Sequence, residues 1–191
     1  MTPTDPNADP IPQSITSLPI QDHFKMINEG NGGKLSLNPG STQLTTQTTG
    51  NTIVWESTNI NPTGTQVILS NQANPGVETL GNTMGEAQIE SMAQTLLLEF
   101  FSSDNSFTVQ DIQGFYLTAE DNGLVYFMAS MPSSSGSGNS PKQKWKFRKA
   151  TIGHGNTDSR ATGHNTVPGI QQLKNPPETQ KYTPLPPEQT K

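Results

Sequence analysis

Only one part of this chain, residues 51–152, carries enough closely spaced apolar side chains to close a core. Hydrophobic residues make up 29% of the 191 and charged residues 14%, and Thr, Ser, Asn, Gln, Gly and Pro supply most of the rest. Fixing one residue's backbone costs roughly 1–2 kcal/mol of entropy, so a stretch without apolar groups to bury cannot offset its own ordering. The chain therefore divides into a flexible acidic and polar arm at 1–50, a core at 51–152 and a flexible, basic, Gly/Pro-rich tail at 153–191. Within the arm, two patches at 15–20 and 24–27 are apolar enough to dock. Gly30, Gly32, Gly33, the Asn38-Pro39-Gly40 turn and a Thr/Gln run at 41–49 punctuate the remainder.

The core reads as α+β, with a few antiparallel strands, one main helix and one short helix. β-Branched and aromatic runs at 52–55 and 65–69 flank Asn61-Pro62-Thr63-Gly64 and predict a hairpin. Thr83 followed three residues later by Glu86 has the form of a capping box, and Ile89, Met92, Ala93, Leu96 and Phe100 follow at helical spacing. The spacing predicts a main helix of about four turns, opened by the box at 83–86 and carrying its apolar face as far as Phe101. Thr108 with Asp111 predicts a second cap and a short helix carrying Val109, Ile112 and Phe115. Asp121-Asn122-Gly123 is a turn, and 124–128 is the most apolar strand candidate. A Ser/Gly linker at 132–141 then leads to a last strand at 142–152 expected beside 124–128.

Charge is segregated along this plan. Residues 1–140 hold 13 acids against 2 lysines, whereas residues 141–191 hold 9 Lys/Arg against 3 acids, inside a net charge of −5. The densest basic run is Lys142, Lys144, Lys146, Arg148 and Lys149, with Trp145 and Phe147 interleaved. In a strand the alternate cations share one side and the two aromatics the other. That arrangement suits a nucleic-acid strip, with cations on phosphates and aromatics either stacking on bases or anchoring the strip to the core. The alternative is an edge strand guarded against aggregation by lysines. The basic excess continues through Arg160, Lys174 and Lys181, which is why the strip together with Arg160 is taken as the candidate single-stranded RNA interface.

Other chemistries find little to stand on. Cysteine is absent, which excludes disulfides and thiolate chemistry. No nucleophile elbow, P-loop, dinucleotide fingerprint or zinc-protease motif occurs, so no catalytic residue, cofactor or metal is assigned and the chain is read as a non-enzyme. His154, Asp158 and His164 form the one conceivable metal set, but they sit in a Gly-rich imperfect repeat outside the usual ligand spacings. No apolar run reaches the length of a membrane span, and the first thirty residues have no signal-peptide pattern. Tyr182, Pro184, Leu185 and Pro187 match adaptor-docking patterns and also suit an inert Pro-rich spacer.

In organisation, with polar Thr/Asn/Gln/Gly-rich sequence, no cysteine, one modest core and a basic arm, the chain resembles coat and nucleocapsid proteins of RNA viruses. The resemblance implies a structural protein that self-associates, binds RNA and resides in the virion or host cytoplasm. A small accessory or adaptor protein, binding protein partners through its flexible ends, is the alternative.

Overall fold

A computed structural model describes residues 13–50, 52–134 and 138–150. Twelve antiparallel strands account for nearly all of its regular structure: β1 (His23–Asn28), β2 (Lys34–Leu37), β3 (Leu44–Gln47), β4 (Trp55–Asn59), β5 (Gln66–Asn71), β6 (Thr79–Thr83), β7 (Glu86–Glu90), β8 (Leu96–Phe101), β9 (Ser106–Asp111), β10 (Tyr116–Ala119), β11 (Val125–Met128) and β12 (Trp145–Lys149). The one helical element among the described residues is a single 3₁₀ turn at Pro141–Gln143. The expected α+β class is therefore wrong, and the fold is all-β.

The pairings close on themselves. β1, β4, β5, β8, β9 and β12 hydrogen-bond in a ring back to β1. A longer circuit of nine strands runs through β10, β11, β7 and β6 as well. The remaining pairs, β2–β3, β6–β7 and β10–β11, are hairpins that touch one another through Gln43–Gln88, Thr45–Leu124 and Tyr126–Glu86 bridges. A six-strand barrel carrying three mutually packed hairpins, built from three successive four-strand units, is the β-trefoil arrangement.

The units agree in register. Phe24 pairs with Trp55, Val67 with Leu96 and Phe107 with Trp145, and all six side chains are fully buried. Closure leaves no sheet edge within the ring, and a barrel this narrow is filled by its own side chains. Phe147 fills the middle, stacked between Phe24 at 4.6 Å and Phe107 at 4.3 Å.

Four expectations are corrected. The helix over 83–101 is instead β6, a turn, β7 and β8. Met84 and Gly85 both take positive φ, 53° and 92°, which makes a tight hairpin turn where a capping box was expected. The short helix after Thr108 is β9 ending in a tight turn at 111–115. The arm at 1–50 contributes β1, β2 and β3, whose Phe24, Met26, Leu35 and Leu44 lie in the core. β12 pairs with β1 and β9, not with β11. The hairpin around 60–65 forms as expected, with Trp55 opposite Asn71 and Asn59 opposite Val67. No helix among the described residues is long and apolar enough to cross a membrane. Residues 153–191, including Arg160, the His154–Asp158–His164 set and the Tyr182–Pro187 patterns, lie outside the described residues.

Candidate binding cleft

The basic strip folds as a strand with the expected alternation, but its surroundings differ from those an RNA strip needs. Trp145 and Phe147 are fully buried, so neither offers a face to a base, and they anchor the strand to the core. Each of the neighbouring lysines meets a carboxylate. Lys142 Nζ lies 2.9 Å from Asp121 and 3.1 Å from Glu120, Lys144 2.5 Å from Asp104, Lys146 3.0 Å from Glu29 and Lys149 2.8 Å from Asp22. Arg148 donates to the Ser14 hydroxyl.

Two of these groups, Lys142 and Asp104, are shifted from their ordinary pKa. The hydrogen bonds to Asp121 and then Glu120 raise the Lys142 pKa. Burial pushes the Asp104 carboxyl up, but hydrogen bonds from Lys144 and Ser106 and the Lys144 charge outweigh it and hold the group below its ordinary range. Exposed ion pairs are individually weak. A phosphate arriving here would nevertheless have to displace five acids and then remain beside them. Neutralising Lys144, Lys146 and Arg148 together is therefore expected to change the salt slope of any RNA binding by less than one, against about two to three for true phosphate contacts. A titration of single-stranded RNA at several salt concentrations measures this.

The trefoil repeat directs attention elsewhere. Asn28, Asn71 and Asp111 end β1, β5 and β9 at equivalent positions, and in each the side-chain oxygen caps the following turn. Asn28 Oδ1 accepts from the Gly30 and Asn31 N–H groups, Asn71 Oδ1 from Ala73, and Asp111 Oδ1 from Gln113 and Phe115, both at 2.9 Å. Beside each cap lies a cleft between one unit's turn and the preceding unit's hairpin.

Two of the three clefts are narrower than the third. Asn28 Nδ2 is held by the Lys142 and Lys144 carbonyls, and the Asn31 amide bridges Thr46 and the Glu120 carbonyl, leaving about 440 Å³ beside them. Asn71 Nδ2 is taken by Glu78 at 2.7 Å, and Leu37 and Ile53 narrow the space there to about 310 Å³.

The third cleft, between the 111–115 turn and the Met84-Gly85 turn, encloses about 940 Å³. Its base is a locked polar cluster. Asn82 Nδ2 donates to Asp111 Oδ2 at 2.6 Å, while Asn82 Oδ1 accepts from Gly85 N–H at 2.8 Å. Gln94 clamps the Asn82 backbone from both sides, accepting its N–H at 2.9 Å and donating to its carbonyl at 3.3 Å. Gly81 makes room for this clamp, since a Cβ there would come within 2.8 Å of Gln94 Nε2 and 2.5 Å of Glu90 Cγ. Asp111 is only 4% exposed, whereas Phe115 is 39% exposed on one wall and Phe127 lies buried behind. Met84 and Ile112 stand at the lip with their side chains in solvent.

Asp111, Asn82, Gln94 and Phe115 are thus the residues brought together, and none was a site candidate from the sequence. The signal that could have found them is the recurrence of apolar-x-apolar-x-Asn/Asp at Phe24, Met26, Asn28, then Val67, Leu69, Asn71, then Phe107, Val109, Asp111, about 40 residues apart. The cluster presents fixed acceptors and donors beside an aromatic face. It is suited to holding a small polar ligand in one orientation.

No family model matches this chain, and no curated protein does. Among solved structures, it is similar to Cry35Ab1, with a TM-score of 0.56 and 16% identity over 69% of this chain and 36% of that one. The chain therefore spans little more than a third of Cry35Ab1. It is also similar to SeviL, solved bound to asialo-GM1 saccharide, with a TM-score of 0.53 and 16% identity over 69% of this chain and the whole of that one. At such identity these likenesses show the fold alone.

Proposed function

We propose that this chain is a non-enzymatic binding protein that takes an uncharged saccharide in the cleft between its second and third units. The observation that carries the reading is the locked Asp111–Asn82–Gln94 cluster beside a half-exposed Phe115 in the one wide cleft of three. Neighbouring sugar hydroxyls need paired acceptors and donors, which a carboxylate and an amide supply together. The C–H face of a sugar ring needs an apolar plane, which the phenyl ring supplies. The saccharide in the SeviL structure gives the same fold a ligand of this class.

Binding is favoured over hydrolysis by the acids present. Glycoside hydrolysis ordinarily takes two carboxylates roughly 5–9.5 Å apart. Asp111 is the sole carboxylate among the residues lining this cleft, and its Oδ1 is committed to two backbone N–H groups.

Isothermal titration with asialo-GM1 saccharide, followed by a panel of neutral oligosaccharides, tests the reading. The expected stoichiometry is one per chain, because the equivalent clefts at Asn28 and Asn71 hold less than half the space, about 440 and 310 Å³ against 940 Å³. Phe115→Ala is expected to weaken binding about tenfold, the equivalent of an aromatic contact of roughly 1.4 kcal/mol, without lowering the melting temperature. A chain that binds no saccharide in the panel but binds single-stranded RNA with a steep salt dependence would reject this reading and put the RNA-binding, self-associating coat protein first.

A further inference from the structure

Four of the six large apolar side chains exposed among the described residues sit on the segments that frame this cleft. They are Met84 at 102% exposure, Met92 at 79%, Ile112 at 75% and Phe115 at 39%. Phe115 turns to the cleft wall, which leaves Met84, Met92 and Ile112 without an evident role in the fold. Such groups scattered singly are ordinary, but a cluster around a binding cleft marks a contact surface. Met84 adds a second sign. It holds a φ of 53° in the β6–β7 turn, where Asn or Gly would sit at less cost, and a bulky apolar side chain there is displayed to solvent at the tip of the hairpin.

The surroundings narrow what this surface meets. The lip residues Met84, Gly85, Ala93, Thr95, Ile112 and Gln113 are uncharged, and the nearest charged side chains in sequence, Asp111, Glu86 and Glu90, are acidic. An anionic membrane or a nucleic acid would be repelled, whereas a zwitterionic lipid surface would not. Resting on the saccharide reading above, we propose that the ligand is the headgroup of a neutral glycolipid in place in a membrane, with Met84, Met92 and Ile112 entering the lipid interface around it. An apolar fringe of this size gives only shallow, reversible insertion. Cleft and fringe are then two halves of one contact, and the lipid-borne saccharide binds more tightly than the same saccharide free.

The test uses phosphatidylcholine vesicles with and without asialo-GM1, alongside free asialo-GM1 saccharide, on the full chain and on a Met92→Ser variant. Met92 lies outside the cleft lining and its side chain is in solvent, so the variant is expected to melt no lower than the parent. The expected result is vesicle affinity reduced about tenfold or more with free-saccharide affinity unchanged, since each apolar side chain withdrawn from the interface loses its burial. Equal affinity of parent and variant for the glycolipid vesicles overturns the proposal while leaving the saccharide site standing. Loss of a dimer in the variant, seen by light scattering, also overturns it by making the fringe a contact between copies. Failure of the parent to bind either the free or the lipid-borne saccharide removes the saccharide reading itself, and this inference with it.

Discussion

Trp145→Ala is expected to destabilise the protein by about 3–5 kcal/mol, the range for removing a large aromatic from a packed core. A small domain has only about 5–15 kcal/mol in total, so the variant should be partly unfolded at ordinary temperature or melt far below the parent. The reasons are local and specific. The indole is fully buried opposite Phe107, its Nε1 donates to the Leu117 carbonyl at 2.9 Å, and the next inward side chain, Phe147, is the middle ring of the stack with Phe24 and Phe107. Lys146→Ala, one residue away on the outer side, should change the unfolding free energy by no more than about 0.5 kcal/mol. The two variants together separate the roles of the strip. A Trp145→Ala protein that melts normally but loses RNA binding would show that the indole faces a ligand and not the core.

The second large effect is expected at Asp111, where replacement by Ala and by Asn should part company. Alanine leaves the Gln113 and Phe115 N–H groups and the Asn82 amide without their acceptor, which costs about 2–3 kcal/mol once the loop's partial access to water is allowed for. It also releases the turn that carries Phe115, so saccharide binding should vanish. Asparagine retains an oxygen for the two backbone groups, so the turn should survive. Its amide nitrogen then confronts the Asn82 amide, donor against donor, and the locked cluster at the cleft base loses its geometry. Asp111→Asn is expected to melt within about 1 kcal/mol of the parent yet bind saccharide at least tenfold more weakly. Thermal melts and titration calorimetry on the same samples check both. Equal saccharide affinity in the parent and the Asp111→Asn variant would remove this cluster from the binding site.

Much of the local structure was legible because a strand needs only every second residue apolar. The pairing of β4 with β5 follows from two β-branched runs around a Pro/Gly turn, and the alternation of Trp145 and Phe147 with lysines follows from the pleat. The same rule explains the misreadings. Leu96 and Leu98 are buried while Glu99 is exposed, a period of two, yet Ile89, Met92, Leu96 and Phe100 also fit a helical period, and the window alone does not separate them. Met92 is out in solvent, which a buried helix face would not allow. β3 lies within the Thr/Gln run and β2 just before it, and beside Leu35 and Leu44 their buried positions are filled by polar Ser36 and Thr45, so no apolar pattern marks them.

The candidate site was hidden for a different reason. Asp111, Asn82 and Gln94 are individually ordinary polar residues, and their chemistry arises only when the second unit's hairpin meets the third unit's turn. By itself the sequence determined the strand-forming alternation, the turns at Asn61–Gly64 and Asp121–Gly123, and the segregation of charge, since each depends on neighbours a few residues away. The tertiary structure alone decided that β12 closes the ring between β1 and β9, that its lysines face carboxylates, and that one of three equivalent clefts is more than twice as wide as the others. Those outcomes depend on contacts between residues far apart in the chain, such as Phe24 with Phe147 and Asn28 with Lys142, which local patterning does not encode.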